Sequence, residues 1–171
     1  MSEQKADQTA ALADDRNPDL WPAETLAAIQ RILDDSLRSS GEAIRDIFAR
    51  PQRQMNALEF AQFWNATSMK AMATVGPDGA PHMAPVHAAL VQGRLRTTIF
   101  EQARRRADLR TNRRVAFTCW GPHGATAIVY GRAREIPDSL RETRTGATAA
   151  PGKTVTLEVE ITRIYAMRGR G

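Results

Sequence analysis

Arg104, Arg105 and Arg106 stand consecutively and form the densest concentration of chemically active groups in the chain. A guanidinium is a planar fork that donates two parallel hydrogen bonds to a phosphate or carboxylate. Consecutive residues of a helix are spread about its axis, so one or two of the three can address a single ligand while the others meet solvent. An anion site and an ordinary solvated basic face both remain open at this point. His82, His87 and His123 are the other candidates. No acidic residue lies at ligand spacing from them, and His82 and His87 fall on opposite faces of an expected strand, so no metal site is predicted. His87 is open to three readings: a surface residue, a hydrogen-bond donor to a substrate, or an axial haem ligand. The single cysteine, Cys119, permits neither an intramolecular disulfide nor a cysteine-based metal site, which points to a reducing compartment and a cytoplasmic protein. The chain has no Gly-x-Ser-x-Gly, Walker-type loop or dinucleotide fingerprint, so hydrolase and nucleotidase readings have no support.

The elements that must position these groups follow from periodicity and turn residues. Ala71–Val75 predicts a short apolar strand, Gly76-Pro77-Asp78-Gly79 a turn, and His82–Val91 a second strand in which Pro85 implies an edge or a bulge. Gln92-Gly93 is a two-residue hairpin link to a third strand, Arg94–Phe100. Two hairpins thus lead into a helix that opens on the arginines, and its first N–H groups point where an anion can be held. Arg114–Trp120 alternates as a fourth strand, Pro122-His123-Gly124 is a turn, Ala125–Ile136 is a fifth strand, and Thr154–Tyr165 is a sixth. Between the last two, Asp138–Gly152 begins with helix-compatible residues and continues as a loop. Six strands with one helix between the third and fourth predict a small closed antiparallel barrel.

Ahead of the barrel, residues 1–17 are polar and predict a mobile tail, and 18–55 a helical extension. Leu26, Ile29, Leu33 and Leu37 repeat at helical spacing after Pro22, and a second helix over Glu42–Arg50 stops before Pro51. The extension is read as a cover over a barrel end or a dimer neighbour, or as a lid. Asn56 with Glu59 has the form of a capping box, which starts the 56–171 unit with a helix whose apolar face is Leu58, Phe60, Phe63 and Trp64. No run approaches the length of a membrane span, and the acidic start of the chain does not resemble a secretion leader. The charge is uneven. Residues 1–70 carry eight Lys/Arg against eleven Asp/Glu, whereas 71–171 carry sixteen against eight, so the second part is the functional candidate. A polyanion could bind there, but the arginines are not interleaved with aromatic stacking residues, so nucleic acid is not the expected partner.

Ala73-Thr74-Val75-Gly76-Pro77-Asp78-Gly79-Ala80-Pro81-His82, then Pro85-Val86, Thr97-Thr98 and the run from Ala103 to Ala116 resemble, in this order, the pyridoxamine 5′-phosphate oxidase-like flavin-binding split β-barrel family. The likeness extends over roughly Ala57 to Ile164. It implies a mainly β fold with helices: a six-stranded antiparallel split β-barrel of Greek-key type, with the N-terminal helices added. It implies a homodimer with FMN, or alternatively the deazaflavin F420, at the interface, and a small-molecule oxidoreductase; a non-catalytic flavin or haem carrier is the other possibility. By the same resemblance Arg104 and Arg105 hold the flavin phosphate, and the backbone of Ala84, Pro85, Val86 and His87 runs along the ring. Thr98 and Ile99 meet the ring edge, and Thr126 meets the pyrimidine edge. Tyr165 is a candidate to close the ring pocket, and Arg168 to reach a phosphate of the partner chain. True pyridoxamine 5′-phosphate oxidases carry an Arg-x-His near a longer C-terminal segment. This chain ends Ile164-Tyr165-Ala166-Met167-Arg168-Gly169-Arg170-Gly171, so vitamin B6 oxidation is not expected.

Overall fold

Along Arg114–Trp120 the side chains of Val115, Phe117 and Cys119 are buried while Arg114 and Trp120 are exposed, as the alternating pattern of that stretch requires of a half-buried strand. In the computed structural model, which describes residues 14–137 and 153–170, this is one of seven antiparallel strands. They are β1 (Lys70–Val75), β2 (Pro81–Val86), β3 (Ala88–Val91), β4 (Arg94–Phe100), β5 (Arg114–Trp120), β6 (Thr126–Ile136) and β7 (Thr154–Met167). Their order across one curled sheet is β2-β1-β5-β6-β7-β4-β3.

The expected count of six strands is corrected to seven. His82–Val91, read as a single strand, changes partner at His87: β2 pairs with β1, and β3 pairs with β4. The two edges of the sheet are therefore consecutive in the chain and joined by His87 alone. Pro85 lacks the N–H a central strand would need and sits on edge strand β2, as its chemistry demands. Thr97 Oγ1 donates to the His87 carbonyl at 2.7 Å, which ties the break to β4.

Local chemistry accounts for the connections. In the Gln92-Gly93 link both residues have positive φ (46° and 77°), the mirror-image turn that suits the twist of a hairpin. Between β6 and β7 the register slips at Tyr130/Gly131 and leaves Thr162 opposite no residue. The inward phase of β7 moves from Leu157 and Val159 to Ile164 and Ala166 across that bulge. Gly131 is required there, because a Cβ would lie 2.5 Å from the Glu160 carbonyl oxygen.

Four helices flank the sheet among the described residues. α1 (Ala23–Arg38) lies on β7 with Ile29 and Leu33 buried. Its buried Ser36 Oγ accepts from Ile164 N at 2.9 Å, beyond the last residue of β7 that β4 pairs. α2 (Glu42–Phe48) buries only Phe48, whose ring lies 5.6 Å from that of Tyr165. α3 (Ala57–Ala66) begins with the Asn56–Glu59 capping box and seals one end of the core with Phe60, Ala61 and Trp64, all fully buried. α4 (Arg104–Thr111) links β4 to β5. Of the stretch expected as a tail, residues 1–13 lie outside the described residues, while Asp15 O accepts from Gln92 N (2.9 Å) and Trp21 Nε1 (2.8 Å). The helix-compatible stretch 138–152 also lies outside them. No described helix is long and apolar enough to cross a membrane.

Candidate functional site

α4 starts with its N–H groups uncapped: Ala103 occupies the cap position without a side-chain bond, and the first turn holds no acidic residue. Three arginines fill that turn instead, and they divide the work. Arg106 is committed to Glu135, with Nε to Oε1 at 2.7 Å and Nη2 to Oε2 at 3.0 Å; the Arg106 hydrogen bond holds the Glu135 carboxyl below its ordinary range. Arg104 is exposed. Arg105 is partly buried, and its Nε is enclosed with no hydrogen-bond partner among the described residues. A buried donor left unmade is costly, so this atom marks where an acceptor from outside the described chain would be most stabilising.

One turn further, Asp108 is almost completely buried. Its Oδ2 accepts from Thr74 Oγ1 at 2.7 Å and lies 2.8 Å from His82 Nδ1. Burial pulls the Asp108 carboxyl upward, but the Thr74 and His82 hydrogen bonds and the nearby His82 and Arg104 charges outweigh it and hold the group below the ordinary carboxylate range. An ionised carboxylate only accepts, so the His82 proton on this side resides on Nδ1.

The other expected site residues fall into two groups. Ala84 faces the core and is partly buried, Pro85 is exposed on the opposite face, and Val86 is buried. His87 is exposed in the break between β2 and β3, with Nδ1 3.0 Å from the Ser68 carbonyl oxygen; the expectation that it is a strand residue opposite His82 is corrected accordingly. Thr98 is half-buried on the outer face of β4 across from Thr156, and Ile99 points into the core, so only the backbone of Ile99 is available to a ligand on the outside. The Thr97–His87 bond places His87 beside β4, and three residues after the end of β4 the helix opens on the arginines. Thr126 lies apart from Thr98. It pairs with Met167, whereas Thr98 pairs with Thr156, and the intervening length of β7 is on the order of 35 Å at about 3.3 Å per residue.

Sequence reasoning missed Asp108 and Thr74. The available signal was that Asp108 is the sole acid within the basic run from Arg104 to Arg114. It also missed Glu158, buried on the outer face of β7 beneath Arg94 (3.5 Å), Arg96 (3.2 Å) and Arg134 (2.5 Å). Burial raises the Glu158 carboxyl, and these guanidiniums hold it low. Arg168, a candidate for a partner's phosphate, is engaged within its own chain: its Nη2 lies 2.6 Å from both Glu59 carboxylate oxygens.

Residues 58–168 match the model of the family described as pyridoxamine 5′-phosphate oxidase. Among solved structures, a conserved hypothetical protein from Mycobacterium tuberculosis superposes with a TM-score of 0.60 at 21% identity, covering 69% of this chain and 88% of that one. A FAD-binding protein from Mesorhizobium loti superposes with a TM-score of 0.52 at 22% identity, covering 66% and 94%. Both likenesses are of fold. Curated proteins provide no match to the chain.

Proposed function

The chain belongs to the pyridoxamine 5′-phosphate oxidase family, and on that premise we propose that it is an FMN-dependent oxidoreductase acting on a small molecule. The observation that carries this reading is the unpartnered, enclosed Nε of Arg105 at the uncapped start of α4. The residues present fit the group. Arg104 and Arg105 would hold the phosphate with charge-assisted bonds, aided by the N–H groups at the start of the helix, which no side chain caps. Ala89 presents only a small side chain on β3, and Thr98 offers a hydroxyl on the outer face of β4. Bound flavin supplies the redox chemistry; this chain anchors it, orients it and surrounds it with positive potential that favours a reduced anionic ring. No acid or base is required of the protein.

Two further features support a homodimer with the cofactor between copies. Thr126 lies too far along β7 to meet the same ring as Thr98 within one chain, so a site containing both draws Thr126 from a second copy. The outer sheet face also carries an apolar row: Met83, Ala73, Ala116 and Tyr130 align across β2, β1, β5 and β6, with Met83 71% and Tyr130 41% exposed, and Trp120, 62% exposed, lies further along β5. A continuous apolar row on a sheet face is the mark of an interaction surface.

The test is the absorbance spectrum of the purified protein, with mass spectrometry of any molecule released on denaturation. A flavin spectrum and the mass of FMN are expected. A deazaflavin spectrum would replace FMN by F420 and leave the phosphate site standing. Colourless, monomeric protein that takes up neither compound would end the proposal. Arg105→Ala removes one charge-assisted contact worth about 1.5–3 kcal/mol, and FMN affinity by fluorescence titration is expected to fall roughly 10- to 150-fold.

A further inference from the structure

α4 is held to the sheet at few points, one of them the Arg106–Glu135 ion pair with β6. Of its eight residues only Asp108 and Leu109 are buried, and the helix rests on β1. Leu109 is its single buried apolar contact, and the Arg106–Glu135 pair joins the first turn to β6 only through two long, partly exposed side chains, which leaves the helix freedom to roll about its axis. The polar contact at Asp108 removes that freedom, because its Oδ2 is fixed from two strands at once, by Thr74 Oγ1 on β1 and by His82 Nδ1 on β2. Arg105 precedes Asp108 by three residues and Arg104 by four, the spacings that share one flank of a helix, so whatever sets the direction of Asp108 sets theirs. The position of the His82 ring is in turn reserved by Gly76, where a Cβ would lie 2.9 Å from His82 Cε1 and 2.8 Å from Asp78 Oδ1.

We propose that His82 is a positioning residue for the phosphate-binding arginines: its Nδ1–H bond to Asp108 fixes the roll of α4 and so the direction of Arg105. This rests on the phosphate role of Arg105 given above. His82 itself touches no cofactor in this scheme.

Two measurements on three variants test it. In flavin-free protein, the Arg105 Nε–H, enclosed in the wild type, is followed by ¹⁵N–¹H NMR for its exchange with solvent. In loaded protein, the affinities for FMN and for riboflavin, which lacks the phosphate, are compared. His82→Phe keeps the ring volume and removes the donor; it is expected to speed Nε–H exchange at least about tenfold and to lower FMN affinity by a similar factor, while riboflavin affinity stays unchanged. His82→Asn, whose amide nitrogen can take the place of Nδ1, is expected to restore both. Thr74→Val removes the other bond to the same oxygen but leaves His82 in place, and is expected to keep the preference for FMN. Unchanged exchange in His82→Phe, an Asn variant as impaired as Phe, or an equal loss of FMN and riboflavin affinity would each overturn the proposal. Wild-type protein with no preference for FMN over riboflavin would refute the cofactor reading instead, and the exchange measurement would still decide the tether.

Discussion

At the scale of single residues, the most unusual environment is that of Lys70, which is only 3% exposed. Its Nζ donates to the carbonyls of Trp64 (2.7 Å) and Thr67 and stands 5.2 Å from the centroid of the Trp64 ring. Those carbonyls end α3, where a cation is favoured by the helix dipole. Burial nevertheless dominates and lowers the ammonium to about 8. The unfolded chain keeps this proton up to about 10.5, the folded chain releases it near 8, and between these values unfolding takes up a proton, so stability rises with pH. Below about 8 both states are charged and the contribution is flat. The full rise corresponds to about 3 kcal/mol. Burial pushes the Cys119 thiol up, which acts in the opposite sense at high pH, so the comparison must be made against a variant that retains it. The stability of the wild type relative to Lys70→Met, from urea melts at several pH values, is expected to increase from about pH 8 to about pH 10. Parallel profiles would place the Lys70 ammonium in its ordinary range.

At the scale of elements, the exposed edges of the sheet are managed by side chains from the helices. Asn65 at the end of α3 acts on β3 as a neighbouring strand would: Leu90 N donates to its Oδ1 at 2.8 Å, and its Nδ2 donates to Leu90 O at 2.9 Å. Unpaired edges invite pairing with other chains, so the device both stabilises and protects. Asn65→Ala removes the side-chain partner of three backbone groups, Leu90 N, Leu90 O and Arg16 O, of which the two on the buried Leu90 set a cost of about 1–3 kcal/mol. The midpoint of thermal unfolding is expected to fall by roughly 2–12 °C for a chain of this size. Asn65→Asp, which keeps the acceptor and loses the donor, should fall between the two. Ser36 does the same for Ile164 on β7, so the N-terminal extension is joined to the sheet by backbone accounting as well as by apolar contact.

At the scale of the whole molecule, a curled sheet with two faces has its inner face filled by Phe117, Leu157, Val129 and Trp64, all nearly inaccessible, and its outer face left to others. Part of the outer face is polar and internally paired, with Glu158 among three arginines. Another part is the apolar row that ends in Met83 and Tyr130. If two copies meet there, Met83→Glu combined with Tyr130→Glu places charge in the centre of the contact. Sedimentation is then expected to show a monomer in place of a dimer, with flavin affinity reduced because each site loses the residues supplied by its partner. A double variant that remains dimeric would move the interface elsewhere.

The strands, their turns and the helix that opens on the arginines were legible in the chain because they rest on local rules: alternation over Arg114–Trp120, positive φ at Gln92-Gly93, and the reciprocal cap of Asn56 and Glu59. Local rules also limited Pro85 to an edge or a bulge, and it sits on the edge. They could not show that one extended stretch serves two ladders, because the change of partner at His87 depends on the curl of the sheet and not on any residue's preference. Contacts between distant residues were equally out of reach. Asp108 meets His82 across 26 positions and Arg168 meets Glu59 across 109, and no spacing in the sequence encodes either. The amino-acid order by itself determined which segments are strands and where the cationic helix begins, since both follow from hydrogen bonding and burial along a few residues. Tertiary structure alone decided that Arg106 is committed to Glu135 while the Nε of Arg105 lacks a partner among the described residues, because a guanidinium's availability depends on what the rest of the fold brings beside it.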